Sequence, residues 1–482
     1  MITVRSIIKN PFFLFTLCRY IVYILLIMRG LLLANILGPY LFGIYGFISM
    51  MLWYLLSTGL GVNYAINVEL STQDEISKEK LSEKINTALV MTAVIGFTII
   101  LIGTIFQIFK FHIFDKYIFY KYTLIIGCIT CTNLIQQVLI NVYRYYRKLF
   151  RIALVELLSA TFLLLIALSF RGFELINAIL LGLLVSGLIS ITILLINAPF
   201  GISLRLNFRE ANTIIKVGIP LLIYNVSFLM MTIIGQTIIS IYFSVETMGY
   251  YTLANNIAGA ILLGIHSIAW IIFPDVLFKT RESVNNSEVM RISEKITEVF
   301  SIIVYITVYI SIIMLPLLYL FLPKYKPTHK VIVILLLSQA VLSHCFGYLC
   351  LALARKKQLL IAKKSISAVL IVAILSILVV IIKLDYIWIA VTVLFASYIF
   401  NILVIKSGIK IISDHIHYLP NRINNISFSN ILVLIICFFG SILGYPSIGA
   451  VLSFMLFFYL NKDKVIRTYV FCVEKIQSGN MR

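Results

Sequence analysis

Along the chain, long apolar runs alternate with short polar interruptions, and the runs exceed what the amphipathic helices of a water-soluble domain would show. Fourteen stretches read as membrane-spanning helices, near residues 12–36, 42–66, 86–109, 118–142, 150–170, 174–198, 214–243, 248–274, 298–322, 329–354, 361–382, 385–412, 428–445 and 447–460. About 20 apolar residues at 1.5 Å rise per residue cross a hydrocarbon core of about 30 Å. The connections are short, which leaves no room for a separate soluble catalytic unit. The pattern therefore predicts an all-α polytopic membrane protein of about fourteen transmembrane helices.

Composition agrees with the pattern. Of 482 residues, 61% are hydrophobic and 12% charged, whereas a soluble domain runs nearer half apolar and a quarter charged. Charge adds an orientation. The formal net charge of +20 would elsewhere suggest a nucleic-acid partner, but here it is distributed as a topology signal and no nucleic acid is implied. With the N terminus inside, 29 Lys/Arg fall on the cytoplasmic side and 8 outside, with Arg19 and Arg29 within the first span. That bias predicts cytoplasmic termini. The cytoplasmic groups are dense: Arg144, Arg147, Lys148 and Arg151; Lys279, Arg281, Arg291 and Lys295; Arg355, Lys356, Lys357, Lys363 and Lys364. External links such as Leu37–Leu41 and Ser244–Thr247 are very short, so any chemistry is expected within the membrane or at its cytoplasmic face.

Shifting the chain by 206 residues reveals a weak internal repeat. Gly38-Pro39-Tyr40-Leu41-Phe42-Gly43-Ile44-Tyr45 falls on Ser244-Val245-Glu246-Thr247-Met248-Gly249-Tyr250-Tyr251, matching Gly43 to Gly249 and Tyr45 to Tyr251. Six helices separate the copies, so both have the same orientation, as in parallel repeats. The expected organisation is a lobe of helices 1–6 over residues 1–200, a lobe of helices 7–12 over 201–415 around a shared central cavity, and helices 13–14 with a cytoplasmic tail over 416–482.

Polar residues inside the spans mark where chemistry is expected. A charge near mid-membrane costs on the order of 3 kcal/mol by insertion scales and usually faces a cavity or a partner. Arg19 and Arg29 diverge by about 80° around their helix, which lets them border one cavity at two depths. Their guanidinium groups can grip phosphate oxygens bidentately; snorkelling is the competing reading. Helix four carries Asn133, Gln136, Gln137 and Asn141 on one face, amides suited either to sugar hydroxyls or to neighbouring helices. Asn225 and Gln236 share a face of helix seven, as do Asn255, Gly259 and His266 in helix eight. Glu156 follows Arg151 in helix five and is expected to pair with it, while ion coupling through Glu156 or His266 is the lesser reading. The seven cysteines are expected to be packing residues, Cys128 and Cys131 included, because a CxxC alone supplies only two of the four ligands of a structural zinc site. No motif for hydrolysis or nucleotide binding occurs, so no enzyme, metal or cofactor is expected. The first apolar stretch lacks a small-residue cleavage site and is expected to remain as a span.

Two stretches carry a family resemblance. Leu33-Ala34-Asn35-Ile36-Leu37-Gly38-Pro39-Tyr40-Leu41-Phe42-Gly43-Ile44-Tyr45-Gly46-Phe47, followed by Thr58-Gly59-Leu60-Gly61-Val62-Asn63, resembles the N-terminal signature of bacterial polysaccharide flippases, the Wzx type of the MOP superfamily. Lys216-Val217-Gly218-Ile219-Pro220-Leu221 and the 244–254 segment resemble the start of its second lobe, and Phe273-Pro274 resembles the end of its eighth helix. The resemblance implies a two-lobed inner-membrane transporter that moves undecaprenyl-diphosphate-linked oligosaccharide, such as an O-antigen repeat unit, to the periplasmic leaflet by alternating access. It also implies an O-antigen polymerase and a chain-length regulator as partners. Relatives that flip lipid-linked peptidoglycan precursor place arginines in the first helix toward the cavity, and Arg29 stands at a comparable distance before the Leu37-Gly38 turn. Many members carry an Asp-Arg pair late in helix seven, where this chain departs with Gly235-Gln236-Thr237. The alternatives are a drug or toxin exporter of the same superfamily, which would favour buried acids over arginines, and a polymerase or membrane glycosyltransferase, which would need a larger external loop or a catalytic acid.

Overall fold

A computed structural model describes residues 11–71, 78–203, 205–260, 286–355, 357–413 and 428–477, and every regular element among them is helical. In chain order they are α1 (Pro11–Leu56), α2 (Val62–Ser71), α3 (Lys78–Ile108), α4 (Thr123–Tyr145), α5 (Leu149–Ser169), α6 (Gly172–Leu195), α7 (Phe208–Tyr242) and α8 (245–260). Then follow α9 (Asn286–Phe321), α10 (His329–Ser343), α11 (Phe346–Ala354), α12 (Gln358–Ile381), α13 (Ile387–Ser413), α14 (Phe428–Ile442), α15 (Pro446–Leu460) and α16 (Lys462–Gln477). The chain divides into two units, one of residues 1–226 with 244–249 and one of 227–243 with 250–482.

In the first unit, the first two expected spans form α1. Gly38 interrupts it with φ 66° and ψ 175°, a conformation open to glycine, and Pro39 follows without an N–H to continue the ladder. The chain reverses there, because Phe15 belongs to the same buried cluster as Val62, Ala65 and Ile66. The expected span 42–66 is broken: α1 ends at Leu56 and α2 begins at Val62, with Gly61 at φ 72° in the turn between them. The Thr58-Gly59-Leu60-Gly61 run carries the two glycines that weaken a helix there.

The expected helix 118–142 also starts late, at Thr123, after two 3-10 turns over Asp115–Tyr117 and Phe119–Lys121. The cause is aromatic packing: Phe47 stacks on Tyr117 at 4.1 Å between centroids and meets Phe119 edge-on at 5.4 Å. This apolar contact holds Phe114 and Ile118 at positive φ. Ile118 and Lys121 share a cavity with Phe173 and Asn177, so the 109–122 and 170–174 connections lie at one end of the unit, as the span order requires.

The repeat motif has a physical counterpart in the same unit. A side chain on Gly43 would fall 2.9 Å from the Val245 carbonyl carbon and inside contact distance of its oxygen, and one on Gly249 would meet the Pro39 carbonyl in the same way. Each glycine also lies against the other's backbone nitrogen. Such a reciprocal contact is what a local two-fold relation between the two copies of the motif produces. The second pair of motif stretches meets likewise, since a side chain on Gly218 would fall 2.8 Å from the Gly61 carbonyl oxygen.

Eight described helices are long and apolar enough to cross a membrane, and two bent pairs add two more spans. α1 supplies two crossings by its reversal, α14 and α15 are shorter apolar helices, and the eighth span is described over 245–260 only. In the second unit the bent pair α10–α11 turns by 49°. The break is braced from α9, where Tyr305 Oη lies 2.9 Å from His344 Nε2 and the Gly347 N–H donates to Thr297 Oγ1. α14 and α15 form a hairpin whose backbones approach at Gly440 and Gly449. Phe457 of α15 stacks on Tyr305 of α9 at 5.1 Å. After Asn461 the tail continues as α16, joined to α9 by an Arg467–Glu298 ion pair at 3.0 Å.

Candidate functional site

The polar side chains singled out in the first span, Arg19 and Arg29, lie on the protein-facing side of α1. At 100° per residue, the buried Phe15, Val22 and Leu33 form one stripe, and Arg29 and Arg19 flank it about 40° to either side. The exposed apolar residues Leu17, Ile21, Ile24 and Met28 occupy the opposite face. A helix patterned in this way shows its apolar side to lipid and its guanidinium groups to protein.

Arg19 has a partner that the sequence did not indicate. Its Nη2 and Nε face the two carboxylate oxygens of Glu156 at 3.2 and 3.4 Å, a fork-to-fork pair whose side chains are 29% and 21% exposed. The expected Glu156–Arg151 pair is thus corrected. Five residues along a helix turn by about 140°, so the two side chains leave α5 on different sides. Arg151 instead donates to Tyr143 Oη and to the Ile196 carbonyl. Arg144, near the end of α4, stands within electrostatic range of both Arg19 and Glu156. In the sequence Arg144 stands in a basic cytoplasmic group, yet it also continues the Asn133, Gln137, Asn141 stripe by three residues, and that spacing is the available signal.

Arg29 differs from Arg19. Its Nε is buried and has no hydrogen-bond partner, in a side chain that is itself half-buried. A buried guanidinium N–H left unpaired is costly, because the desolvation is not offset by a bond.

The amides of α4 divide. Gln137 Oε1 accepts from Asn63 Nδ2 at 2.7 Å, and Asn141 Nδ2 donates to the Asn63 carbonyl at 2.8 Å. These two residues join α4 to α2. Asn133 and Gln136 are half-buried and form no hydrogen bond among the described residues. Asn63 stands out in the sequence by its motif and not by its amide; its partnership is non-local and has no signature in spacing.

The later candidates are also separated by the structure. Asn225 donates to the Leu221 carbonyl of its own helix at 2.8 Å, and Gln236 is buried with its Nε2 directed at Thr252 Oγ1, 3.3 Å away. The shared face of Asn225 and Gln236 is therefore partly occupied by structural bonds. Asn255 is half-buried on α8 without a hydrogen bond among the described residues. His266, Phe273 and Pro274, with Lys279 and Arg281, lie outside the described residues. The thiols of Cys18, Cys128, Cys131, Cys345, Cys350 and Cys437 are free, and Cys131 packs against Gly96 of α3. No group of three metal-ligating side chains occurs among the described residues.

The site is thus a polar seam in the first unit: a carboxylate paired with the Arg19 guanidinium near one end of α5 and within electrostatic range of Arg144, a third guanidinium about ten residues further along α1 with an unpaired nitrogen, and two free amides on α4. Chemically it is suited to an anion and hydroxyl groups. It holds no paired acids or activated nucleophile.

Comparison with known proteins bears on this arrangement. Residues 32–276 match the profile of a family described as polysaccharide biosynthesis protein. No curated protein sequence matches the chain. Among solved structures, the chain is similar to the lipid II flippase MurJ in an inward closed conformation, with a TM-score of 0.68 and 15% identity over 94% of this chain and 99% of that one. It is also similar to an inward-facing multidrug resistance MATE family transporter, with a TM-score of 0.62 and 15% identity over 82% and 94% of the two chains. A MOP superfamily transporter from Pyrococcus furiosus gives a TM-score of 0.56 at 14% identity, over 83% and 94%. At such identities the likeness establishes the fold, which this chain shares with these transporters.

Proposed function

Since the chain belongs to the polysaccharide biosynthesis protein family, we propose that it is a flippase for undecaprenyl-diphosphate-linked oligosaccharide of the O-antigen repeat-unit kind. In this reading it works by alternating access in the bacterial inner membrane, with both termini in the cytoplasm and an O-antigen polymerase and chain-length regulator acting on the delivered product. The observation that carries the reading is Arg29, a membrane-embedded guanidinium on the protein-facing side of α1 with a buried, unpaired Nε. A diphosphate would complete it with charge-assisted bonds. Arg19 and Arg144 supply two more cations, and Glu156 holds Arg19 until a stronger anion displaces it. Asn133 and Gln136 remain to bond hydroxyls, while the polyprenyl tail stays in lipid. Catalysis of bond making has no place in this scheme.

The test is O-antigen display in a flippase-null host, normalised to membrane protein level. Arg29→Ala should abolish display and Arg29→Lys should retain part of it, because lysine keeps the charge and loses the planar fork. Full display with alanine at both Arg19 and Arg29 would remove them as phosphate ligands. In proteoliposomes the lipid-linked glycan should change leaflet with its bonds intact, and a lengthened or cleaved glycan by mass spectrometry would overturn the reading.

A further inference from the structure

The few external cations are gathered rather than scattered along the chain. Positive residues on the outer side work against the orientation signal, yet four of the eight external cations, Lys324, Lys326, Lys330 and Lys383, belong to two neighbouring connections of the second unit. The structure brings those connections together. A cavity of about 950 Å³ opens there, walled by the end of α9, the 3-10 turn Pro323–Thr328, the start of α10 and the α12–α13 and α14–α15 connections. Its volume falls in the range of small-molecule sites.

The polar groups in this cavity are largely uncommitted. Lys326 is exposed, and Lys330 gives one proton to the Ile442 carbonyl at 3.2 Å, which leaves two donors. Neither lysine forms an ion pair with Asp385, which also lines the cavity. Ser441 is 1% exposed with an unpaired Oγ, and the buried Nε2 of His329 is unpaired too. The wall is held rigidly, with Tyr386 Oη donating to the Pro327 carbonyl at 3.1 Å and the His329 ring lying 5.3 Å from that of Tyr319. At its mouth Leu320, which lines it, and Phe321 are each 75% exposed and Leu443 is 72% exposed, an apolar margin of the kind that lies against acyl chains.

We propose that this cavity binds the head group of an anionic phospholipid that carries free hydroxyls, with the phosphate on Lys326 and Lys330, the hydroxyls on Asp385, Ser441 and His329, and the chains along Leu320, Phe321 and Leu443. The apolar margin favours a lipid over a soluble phosphate, and the combination of lysines with a carboxylate favours a phosphate next to hydroxyls over a bare anion. Only the assignment of these connections to the outer leaflet rests on the orientation of the proposed function. Binding is measured without transport, so failure of the flippase reading leaves it standing.

The full-length protein, delipidated in detergent, is titrated with phosphatidylglycerol or phosphatidylcholine and followed by native mass spectrometry. The wild type should retain one phosphatidylglycerol in preference to phosphatidylcholine. A lysine near a membrane surface contributes on the order of 1 kcal/mol, so Lys326→Gln should weaken binding about fivefold and Lys326→Gln with Lys330→Gln about thirtyfold. Arginine at both positions should preserve it, and Lys363→Gln with Lys364→Gln, in the first turns of α12, should leave it unchanged. Millimolar inorganic phosphate should not displace the lipid; displacement would overturn the assignment to a lipid. Wild-type affinity in a folded double variant would overturn the site itself. If the double variant does not fold, the exposed single change Lys326→Gln decides by the same criterion.

Discussion

The reciprocal contact between Gly43 and Gly249 makes a quantitative prediction about two single substitutions and their combination. Gly249→Ala places a methyl carbon 2.9 Å from the Pro39 carbonyl carbon and closer to its oxygen, and Gly43→Ala does the same to Val245. The obstructing atoms are backbone and cannot rotate aside. Restoring a carbon–oxygen separation of about 3.3 Å requires the two turns to part by about 1 Å. Overpacking of this kind costs about 1–3 kcal/mol, and a gap of that size forfeits part of the dispersion energy of every neighbouring contact. One displacement relieves both clashes, so the second alanine should add little to the first. The double variant should fall short of additivity by about 1 kcal/mol or more. Equilibrium unfolding of the purified protein in mixed detergent, followed by tryptophan fluorescence, measures all three variants against wild type. Two costs that simply add, or an alanine tolerated without loss at either position, would refute the reciprocal geometry.

Other expectations follow from the same structure. In a double-mutant cycle, Arg19→Gln and Glu156→Gln should couple by about 1–3 kcal/mol in stability, because the pair is bidentate and partly desolvated; a coupling near zero would mean that the pair does not persist in the membrane. Phe47→Ala removes the ring stacked on Tyr117 and should cost about 3–5 kcal/mol, seen as a lowered melting temperature and early proteolysis between residues 109 and 122. Gln137→Leu leaves Asn63 Nδ2 without its acceptor and should cost about 1–3 kcal/mol, while normalised O-antigen display stays near wild type. Single cysteines at Lys326 and Lys364 in a cysteine-free background should label from outside and from inside respectively in intact cells, and the reverse pattern would invert the topology.

What could be read from the chain depended on whether the signal was local. Most spans, the polar stripe of α4 and the repeated glycines are written in spacing, and among the described residues the structure keeps them, apart from the breaks in 42–66 and 329–354 and the late start of 118–142. The late start of α4 was not legible, because its cause is the stacking of Phe47 on Tyr117 across some seventy residues. The break at 57–61 was visible as glycines, but apolar flanks concealed it. At the candidate site, sequence identified the charged and amide residues and could not assign their partners. Glu156 was matched to the nearest arginine in sequence, whereas its partner lies 137 residues away on another helix. Spacing leaves Asn141 and Gln137 open to a substrate or to a neighbouring helix, and their bonds to Asn63 are non-local.

The stacking of Phe457 on Tyr305 has a consequence for biosynthesis. Tyr305 and Tyr309 are buried among aromatic neighbours that include Phe457, and that ring is supplied by the last apolar helix. At about 5–20 residues per second, a ribosome makes Phe457 roughly 8–30 s after Tyr305. During that interval α9 sits in the bilayer with two tyrosines whose final neighbours do not yet exist. Nascent chains stalled before residue 446 should therefore be a distinct substrate for membrane quality control, and a premature stop there would remove structural closure of the second unit rather than a dispensable tail.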